Sequence, residues 1–296
     1  MFAIAVARAL SRLSLRSLQS IGRALGWVPY LASRRYRRRV RANLAQAGFG
    51  DPGFLRAVVE STGSGALELA FIWMRPLEEV VRQVVEVRGY DCVGHAQARG
   101  RGIVFLAPHL GCFELAALWF GARFPFTVLY RPPRLAMVEP LMLHGRLRGH
   151  LRTATTDLSG VRKLIRALRT GDAVGLLPDQ VPLAGMGEWA DFFARPAYTS
   201  TLAARLVEST GAALIMAFCE RLPRGGGYVL HVRQLELDPR EGTAAAQLNR
   251  AVEHMIRIQP SQYLWSYNRY KTPRAAGASP ARDGSSAAAD QSRSLP

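Results

Sequence analysis

The sequence predicts an α/β fold: a mostly parallel central sheet flanked by helices, preceded by an N-terminal amphipathic helical extension. Two observations carry this expectation. Short continuous apolar runs, such as residues 103–107 (IVFLA), are bounded by glycine or proline, the signature of strands buried on both faces. They alternate along the chain with segments of helical period, and such alternation builds parallel sheets through crossover helices. The chain has 296 residues, 49% of them hydrophobic and 21% charged, which suits one large domain with a real core rather than a disordered chain.

Taken in order, residues 1–33 read as a membrane-associating amphipathic helix. Leu10, Leu13, the small Ser17, Ile21 and Leu25 recur every three or four positions, and Pro29 ends or bends the run. Arg8, Arg12, Arg16 and Arg23 interrupt every window long enough to span a bilayer, and they spoil the segment as a signal peptide. Arg34, Arg35, Arg37, Arg38, Arg39 and Arg41 then cluster around Tyr36. An amphipathic helix beside an arginine cluster suits an anionic membrane face; an ordinary surface helix with a solvated basic end is the plainer alternative.

Residues 34–273 form the expected main domain. Residues 54–74 read as a helix weakened by Gly63 and Gly65 and closed by Arg75–Pro76. A short strand follows at 84–88 and a short helix at 94–99. Buried strands are expected at 103–107, 127–130, 173–177 and 213–219, and a fifth at 228–232 is entered from the glycine turn 225–227. Helices are expected at 113–120, 141–151, 160–169, 199–209 and 243–258, with Gly171 and Gly211 as stops and Thr243 as a cap. Residues 274–296 are rich in Ala, Ser, Gly, Asp and Arg, and read as a disordered tail.

The formal net charge is +17, carried almost wholly by arginine, since Lys163 and Lys271 are the only lysines. Such a charge favours an anionic partner: nucleic acid, acidic lipid or an acidic carrier protein. No zinc-finger, RRM or bZIP pattern supports the first of these. Cys92, Cys112 and Cys219 form no C-x-x-C pair, which argues against a disulfide scaffold or a cysteine zinc site and for a reducing compartment.

Ligands of open α/β sheets bind beyond the carboxyl ends of the strands. Three polar groups follow the buried runs there: His109, Tyr130–Arg131 and Asp179–Gln180. Pro108-His109-Leu110-Gly111-Cys112-Phe113-Glu114 is the sharpest. On one continuous helix His109 and Glu114 would point about 140° apart, so they meet only if His109 sits in a turn and Glu114 in the first helical turn. Gly111 eases that turn. A carboxylate on one ring nitrogen fixes the tautomer and leaves the other nitrogen as a base. The bland alternative is a polar strand-end histidine and a capping glutamate. H-E-x-x-H, G-x-S-x-G and the P-loop pattern are all absent, so a base acting on a substrate hydroxyl is favoured over a protein nucleophile.

His-x4-Glu after a buried strand resembles the H-x4-D/E block of the bacterial lipid A late acyltransferases, the lauroyl/myristoyl branch of the lysophospholipid acyltransferase superfamily. Leu129-Tyr130-Arg131-Pro132 is similar to its Y-R-P block, and residues 160–171 to its basic helix. Leu177-Pro178-Asp179-Gln180 resembles its P-D-Q/H turn, and Phe192-Phe193-Ala194-Arg195-Pro196-Ala197 with Thr199 its F-F-G-x-P-A-x-T stretch. Gln262-Tyr263-Leu264-Trp265 with Arg269-Tyr270-Lys271-Thr272 resembles the C-terminal Q-Y-L-W…R-F-K block. Glu114 stands where many members carry aspartate, Ala194 where glycine is usual, and Asp191 where proline is expected.

The resemblance implies a lysophospholipid-acyltransferase-like fold. The implied activity moves a fatty acyl chain from an acyl carrier protein thioester to a hydroxyl of an anionic lipid A precursor, in lipopolysaccharide biosynthesis. The place of action would be the cytoplasmic face of the inner membrane, held peripherally; no metal, organic cofactor or nucleic acid would be needed. His109 and Glu114 would activate the hydroxyl, with either as the base. Tyr130, Arg131, Asp179 and Gln180 would shape the substrate site, Arg131 contacting an oxyanion or phosphate or else pairing with Asp179. Arg146, Arg148 and Arg152 would bind phosphate or the carrier, or form a solvated helix face; Tyr263 and Trp265 would be core. A lysophospholipid or other glycolipid acceptor is the alternative enzyme reading, and a non-catalytic basic membrane-surface binding protein is the other.

Overall fold

A computed structural model describes residues 2–133 and 138–273. The strands are β1 (Val84–Arg88), β2 (Ile103–Leu106), β3 (Phe126–Tyr130), β4 (Leu151–Thr155), β5 (Ala173–Leu176), β6 (Gly187–Phe192), β7 (Arg195–Ser200), β8 (Ala213–Arg221) and β9 (Tyr228–Leu235). Seven of them form one sheet in the order β1-β9-β8-β2-β5-β3-β4, and β6 and β7 form a separate hairpin. Every pairing in the large sheet is parallel except β8 with β9. The predicted α/β architecture is therefore the one observed.

Period-two alternation divides the core into two layers. Ile103 and Phe105 of β2 enter one apolar cluster, while Val104 and Leu106 enter the other. Strand β8 does the same, with Ile215, Ala217 and Cys219 on one side and Leu214, Met216 and Phe218 on the other. Both faces are covered, which is why these strands read as unbroken apolar runs.

The helices are α1 (Phe2–Leu10), α2 (Leu15–Leu25), α3 (Trp27–Ala32), α4 (Arg34–Gln46), α5 (Pro52–Met74), α6 (Leu77–Val81), α7 (Asp91–Ala98), α8 (Phe113–Gly121), α9 (Glu139–Arg146), α10 (Leu158–Arg169), α11 (Leu202–Thr210) and α12 (Ala244–Ile258). Caps define several starts: Asp51, with Pro52 behind it, opens α5; Asp157 opens α10; and Thr243 opens α12.

The N-terminal extension is three helices, not one. Helix α2 buries Leu15, Leu18, Gln19 and Gly22 against α5. The crossing is backbone to backbone: a Cβ on Gly63 would lie 2.0 Å from the Gly22 carbonyl oxygen. Gly63, which weakens α5 on propensity alone, is thus what lets α2 dock. A buried ion pair seals the same junction. Arg221 of β8 grips Glu68 of α5 through two nitrogens, and Tyr228 and Gln19 also donate to that carboxylate. Breaking such a pair by removing one partner costs about 3–5 kcal/mol.

The arginine cluster is helical and lies on α4, which buries Val40 and Leu44. No described helix is long and apolar enough to cross a membrane. The tail expected at 274–296 lies outside the described residues.

Three local expectations are corrected. The helix expected over 141–151 ends at Arg146, and the chain turns at Gly149 into β4. Strand β4 was invisible because it is a short edge strand of mixed polarity, LRTAT, paired on one side only. The helix expected from Thr199 begins at Leu202, because residues 199 and 200 close β7. The short helix expected at 94–99 runs instead as α7.

The β6–β7 hairpin was missed for a related reason. Its register pairs Phe192 with Arg195, leaving a two-residue turn of Phe193 and Ala194, both at positive φ (46° and 56°). Such turns normally announce themselves with Asn or Gly. Here the conformation is enforced from outside: the Phe193 N–H donates to Glu253 and its carbonyl accepts from Gln46. A left-handed alanine costs about 1–2 kcal/mol, more than the about 0.4–1 kcal/mol of extra chain freedom that glycine brings. Ala194→Gly is therefore expected to stabilise the protein by up to about 1 kcal/mol, a rise of about 2 °C in Tm by calorimetry; a fall in Tm would contradict this account.

Candidate active site

Strands β2 and β5 are direct neighbours, Ile103 to Leu106 running beside Ala173 to Leu176. The backbone pairing continues one step further, from the Ala107 N–H to the Leu176 carbonyl. The segments leaving the two strands therefore emerge side by side, and His109 meets Asp179. The Asp179 carboxylate takes the His109 backbone N–H at 2.9 Å on one oxygen and the imidazole Nδ1 at 2.9 Å on the other. Asp179 is 3% exposed. Burial alone would raise its carboxyl, but His109, through its charge when protonated and through its hydrogen bonds, outweighs this and holds it below the ordinary range. Ionised Asp179 thus stabilises the fold above about pH 4 and loses that contribution as acid protonates it. Tyr263, buried beside this carboxylate, has its phenol pushed well up by burial and by the Asp179 charge.

The other ring nitrogen, Nε2, lies 3.0 Å from the Gln180 side-chain amide nitrogen. Phe113 packs against the ring with centroids 4.9 Å apart. With Nδ1–H donated to the carboxylate, Nε2 carries the lone pair, the arrangement of an oriented general base.

The turn that presents His109 is tied down from three sides. Gly111 sits at φ +60°, and a Cβ there would lie 1.9 Å from the Cys219 carbonyl oxygen, so only glycine fits. The Cys112 N–H donates to that same carbonyl. The Gly111 N–H donates to the Gln262 carbonyl, and the Leu264 N–H to the His109 carbonyl. The Gln262 side chain in turn clamps both the N–H and the carbonyl of Arg221. The Gln262–Trp265 segment thus acts as a strap across the turn; Tyr263 and Trp265 are core, as expected.

Glu114 lies in the first turn of α8, as its spacing requires, but the carboxylate on the imidazole is Asp179. Glu114 is buried against Arg146 of α9, which grips it through Nε at 2.8 Å and through a second nitrogen. Trp73 of α5 adds a third donor at 3.2 Å. Burial would lower the Arg146 guanidinium, yet the Glu114 charge raises it, so the pair is ionic. Arg146 is therefore not a free docking cation. Arg148 donates to the carbonyls of Gly145, Arg75 and Ile72, which makes it a structural brace. Arg152 is exposed.

Tyr130 is buried, and its hydroxyl donates to Glu139 at the start of α9. Burial first, then that carboxylate, pushes the phenol up to about 12. That bond ties the end of β3 to the start of α9. Arg131 is exposed just beyond β3, and the carboxylate it was expected to share is held by His109. Among the described residues no cluster of three or more acidic, cysteine or histidine side chains could hold a metal.

An apolar pocket adjoins the His109 turn, meeting the imidazole through Phe113. Phe113, which touches His109, forms part of its wall, with Phe105, Phe120, Phe126, Val128, Leu176 and Leu177. The Glu114–Arg146 pair supplies its polar contribution, and Gly175 leaves room for the Phe126 ring. The cavity itself is small, roughly 50 Å³, and it opens to solvent. The sequence pointed to Glu114 and Arg146 but to none of the apolar lining, nor to Trp73, since nothing local marks those residues as more than core.

An oriented base at a strand end, next to a narrow apolar pocket, is the equipment of an enzyme that acts on a substrate with an apolar chain. The sequence matches bacterial lipid A biosynthesis acyltransferase over residues 1–272. It is 32% identical over 217 residues to the lipid A biosynthesis lauroyltransferase of Escherichia coli strain K12, covering 72% of this chain and 70% of that one. It is 31% identical over 215 residues to the palmitoleoyltransferase of the same organism, covering 72% and 69%. A lipid A biosynthesis acyltransferase of Haemophilus influenzae is 26% identical over 281 residues, 91% of this chain and 89% of that one. The chain belongs to the bacterial lipid A biosynthesis acyltransferase family, and it is an O-acyltransferase.

Asp179→Asn keeps the shape of the side chain but cannot accept the Nδ1 proton and hold the backbone N–H as a carboxylate does. Turnover in acyl transfer is expected to fall on the order of 10³-fold or more, measured by steady-state kinetics with circular dichroism as the folding control. Activity within tenfold of wild type would remove Asp179 from the dyad.

Proposed function

We propose that the protein transfers a fatty acyl chain from an acyl carrier protein thioester to a free hydroxyl of a lipid A precursor, with His109 as the general base. The observation that carries this reading is the His109–Asp179 pair beside the apolar pocket. His109 Nε2 takes the proton of the acceptor hydroxyl as its oxygen attacks the thioester carbonyl. The carbon–sulfur bond then breaks, and the carrier thiolate leaves with the proton returned by the imidazole. Asp179 holds the tautomer and balances the imidazolium that forms. The pocket takes the acyl chain, and the Glu114–Arg146 pair fixes α8 against α9, the helices that wall it.

Charge supports the choice of donor and acceptor. A formal +17 gives an acidic carrier protein a complementary surface. Arg131, exposed at the site edge, is suited to a phosphate of the acceptor. The test is direct: purified protein, acyl carrier protein loaded with C12 to C16 chains, and a lipid A precursor, read by mass spectrometry. One added acyl chain with wild type and none with His109→Ala is the expected result. Acylation of lysophosphatidic acid in place of the lipid A precursor would reassign the acceptor.

The membrane reading rests on α2 and α3. Their inner face is docked on α5, yet Leu13, Ile21, Leu25, Val28 and Leu31 remain 38% to 65% exposed. They share this end of the chain with exposed Arg8, Arg12, Arg16, Arg34 and Arg35. Exposed apolar side chains among arginines suit the interface of an anionic leaflet. Replacing Ile21, Leu25, Val28 and Leu31 with Ser is expected to weaken partition onto phosphatidylglycerol vesicles at least about tenfold without lowering Tm. Unchanged partition in a sedimentation assay would end this assignment.

A further inference from the structure

The nitrogen that must receive the acceptor proton is already occupied. His109 Nε2 faces the Gln180 side-chain amide at 3.0 Å. Since Nδ1–H is committed to Asp179, the only Gln180 group that satisfies the Nε2 lone pair is its NH₂ end. In the free protein, then, the base is capped by a donor. Its neighbours close the remaining approaches: Asp179 on one edge, Phe113 across the ring, and a His109 side chain only 10% exposed.

Adjacent residues have opposite freedom here. Asp179 is fully engaged and buried, whereas Gln180 is exposed. The chain just beyond is anchored, since the Val181 N–H donates to the Tyr267 hydroxyl. The Gln180 side chain can therefore swing away without disturbing the Asp179–His109 contact. A hydroxyl that binds in place has the binding energy of a whole lipid to displace it; a single water does not.

We propose that Gln180 is a hydrolysis guard: it caps the catalytic base until the acceptor lipid displaces it, which keeps water from consuming the bound acyl thioester. The inference rests on the acyltransferase reading above. The reaction it suppresses is complete in its atoms. Water gives its proton to Nε2, its oxygen bonds to the carbonyl carbon, the carbon–sulfur bond breaks, and a free fatty acid and the carrier thiol result. A neutral hydrogen bond of this kind hides the base about fivefold from a competitor that cannot replace it.

The test uses the full chain with Gln180→Ala and Gln180→Leu, the second keeping most of the bulk without a donor. Thiol release from acyl carrier protein loaded with a C12 chain is followed with no acceptor present. Acyl transfer is then measured with a lipid A precursor added. Both variants are expected to hydrolyse the thioester about fivefold faster than wild type, so that the ratio of hydrolysis to transfer rises. Hydrolysis equal to or slower than wild type, or hydrolysis and transfer falling in parallel, would overturn the guard and leave Gln180 a positioning residue. Gln180 is exposed, so its variants are expected to fold, and their Tm confirms it. If wild type transfers no acyl chain to any lipid hydroxyl, the underlying acyltransferase reading fails instead, a result read independently of the variants.

Discussion

Asp179 is a buried carboxylate, and a buried charge survives only with a partner and hydrogen bonds to its oxygens. His109 supplies both, through its ring and its own backbone N–H. The contact does three things at once. It keeps Asp179 ionised, it selects the tautomer of His109, and it pins the turn after β2 to the turn after β5. The position of Phe113, the mouth of the apolar pocket and the place of Gln180 all follow from that pin. The sheet makes it possible, because parallel neighbours deliver their carboxyl ends to the same edge.

A second layer of polar contacts keeps the turn rigid. The strap at Gln262–Leu264 holds the backbone on both sides of Gly111, and its glutamine is anchored on Arg221. Arg221 is half of the buried ion pair with Glu68, which also gathers Tyr228 and Gln19. The N-terminal helix α2, the long helix α5, the strand β8 and the His109 turn thus share one connected network. Such networks are worth having only when every member is satisfied, and among the described residues each of these side chains has a partner. The N-terminal helix α2 and the His109 turn are consequently tied together through one continuous set of hydrogen bonds.

Two carboxylates compete for the histidine in the sequence, and geometry separates their roles. Glu114 follows His109 closely in the chain, yet α8 turns it toward Arg146 and Trp73. Asp179 lies 70 positions away and makes the contact. The spacing argument placed Glu114 correctly in the first turn of its helix, but it could not see that Arg146, reaching in from α9, offers a fixed charge and a bidentate fit that a neutral imidazole cannot match. The arginines of the expected helix face divide in the same way: Arg146 and Arg148 are structural, and Arg152 stays at the surface.

The sequence by itself determined the α/β class, because strands covered on both faces must be apolar throughout and glycine or proline must end them. It also determined the residues at the strand ends, His109, Asp179 and Gln180, and marked Gly111 as easing the turn, although the Cys219 carbonyl that leaves no room there for a Cβ belongs to the tertiary structure. Helical spacing already placed Ile21 and Leu25 on one stripe, and both are left exposed when α2 docks, while Leu13 of the same expected stripe lies in the break before α2. Only the tertiary structure decided which carboxylate holds the imidazole, because that depends on β5 lying beside β2, and strand order is not written in local periodicity. It alone revealed β4, whose single paired edge asks for little apolar character, and the β6–β7 hairpin, whose left-handed Phe193 and Ala194 are held by Glu253 and Gln46 from elsewhere in the chain. The pocket, too, exists only once Gly175, Phe113 and Phe126 from three separate elements are brought together, since a cavity belongs to the packing of side chains and to no one segment.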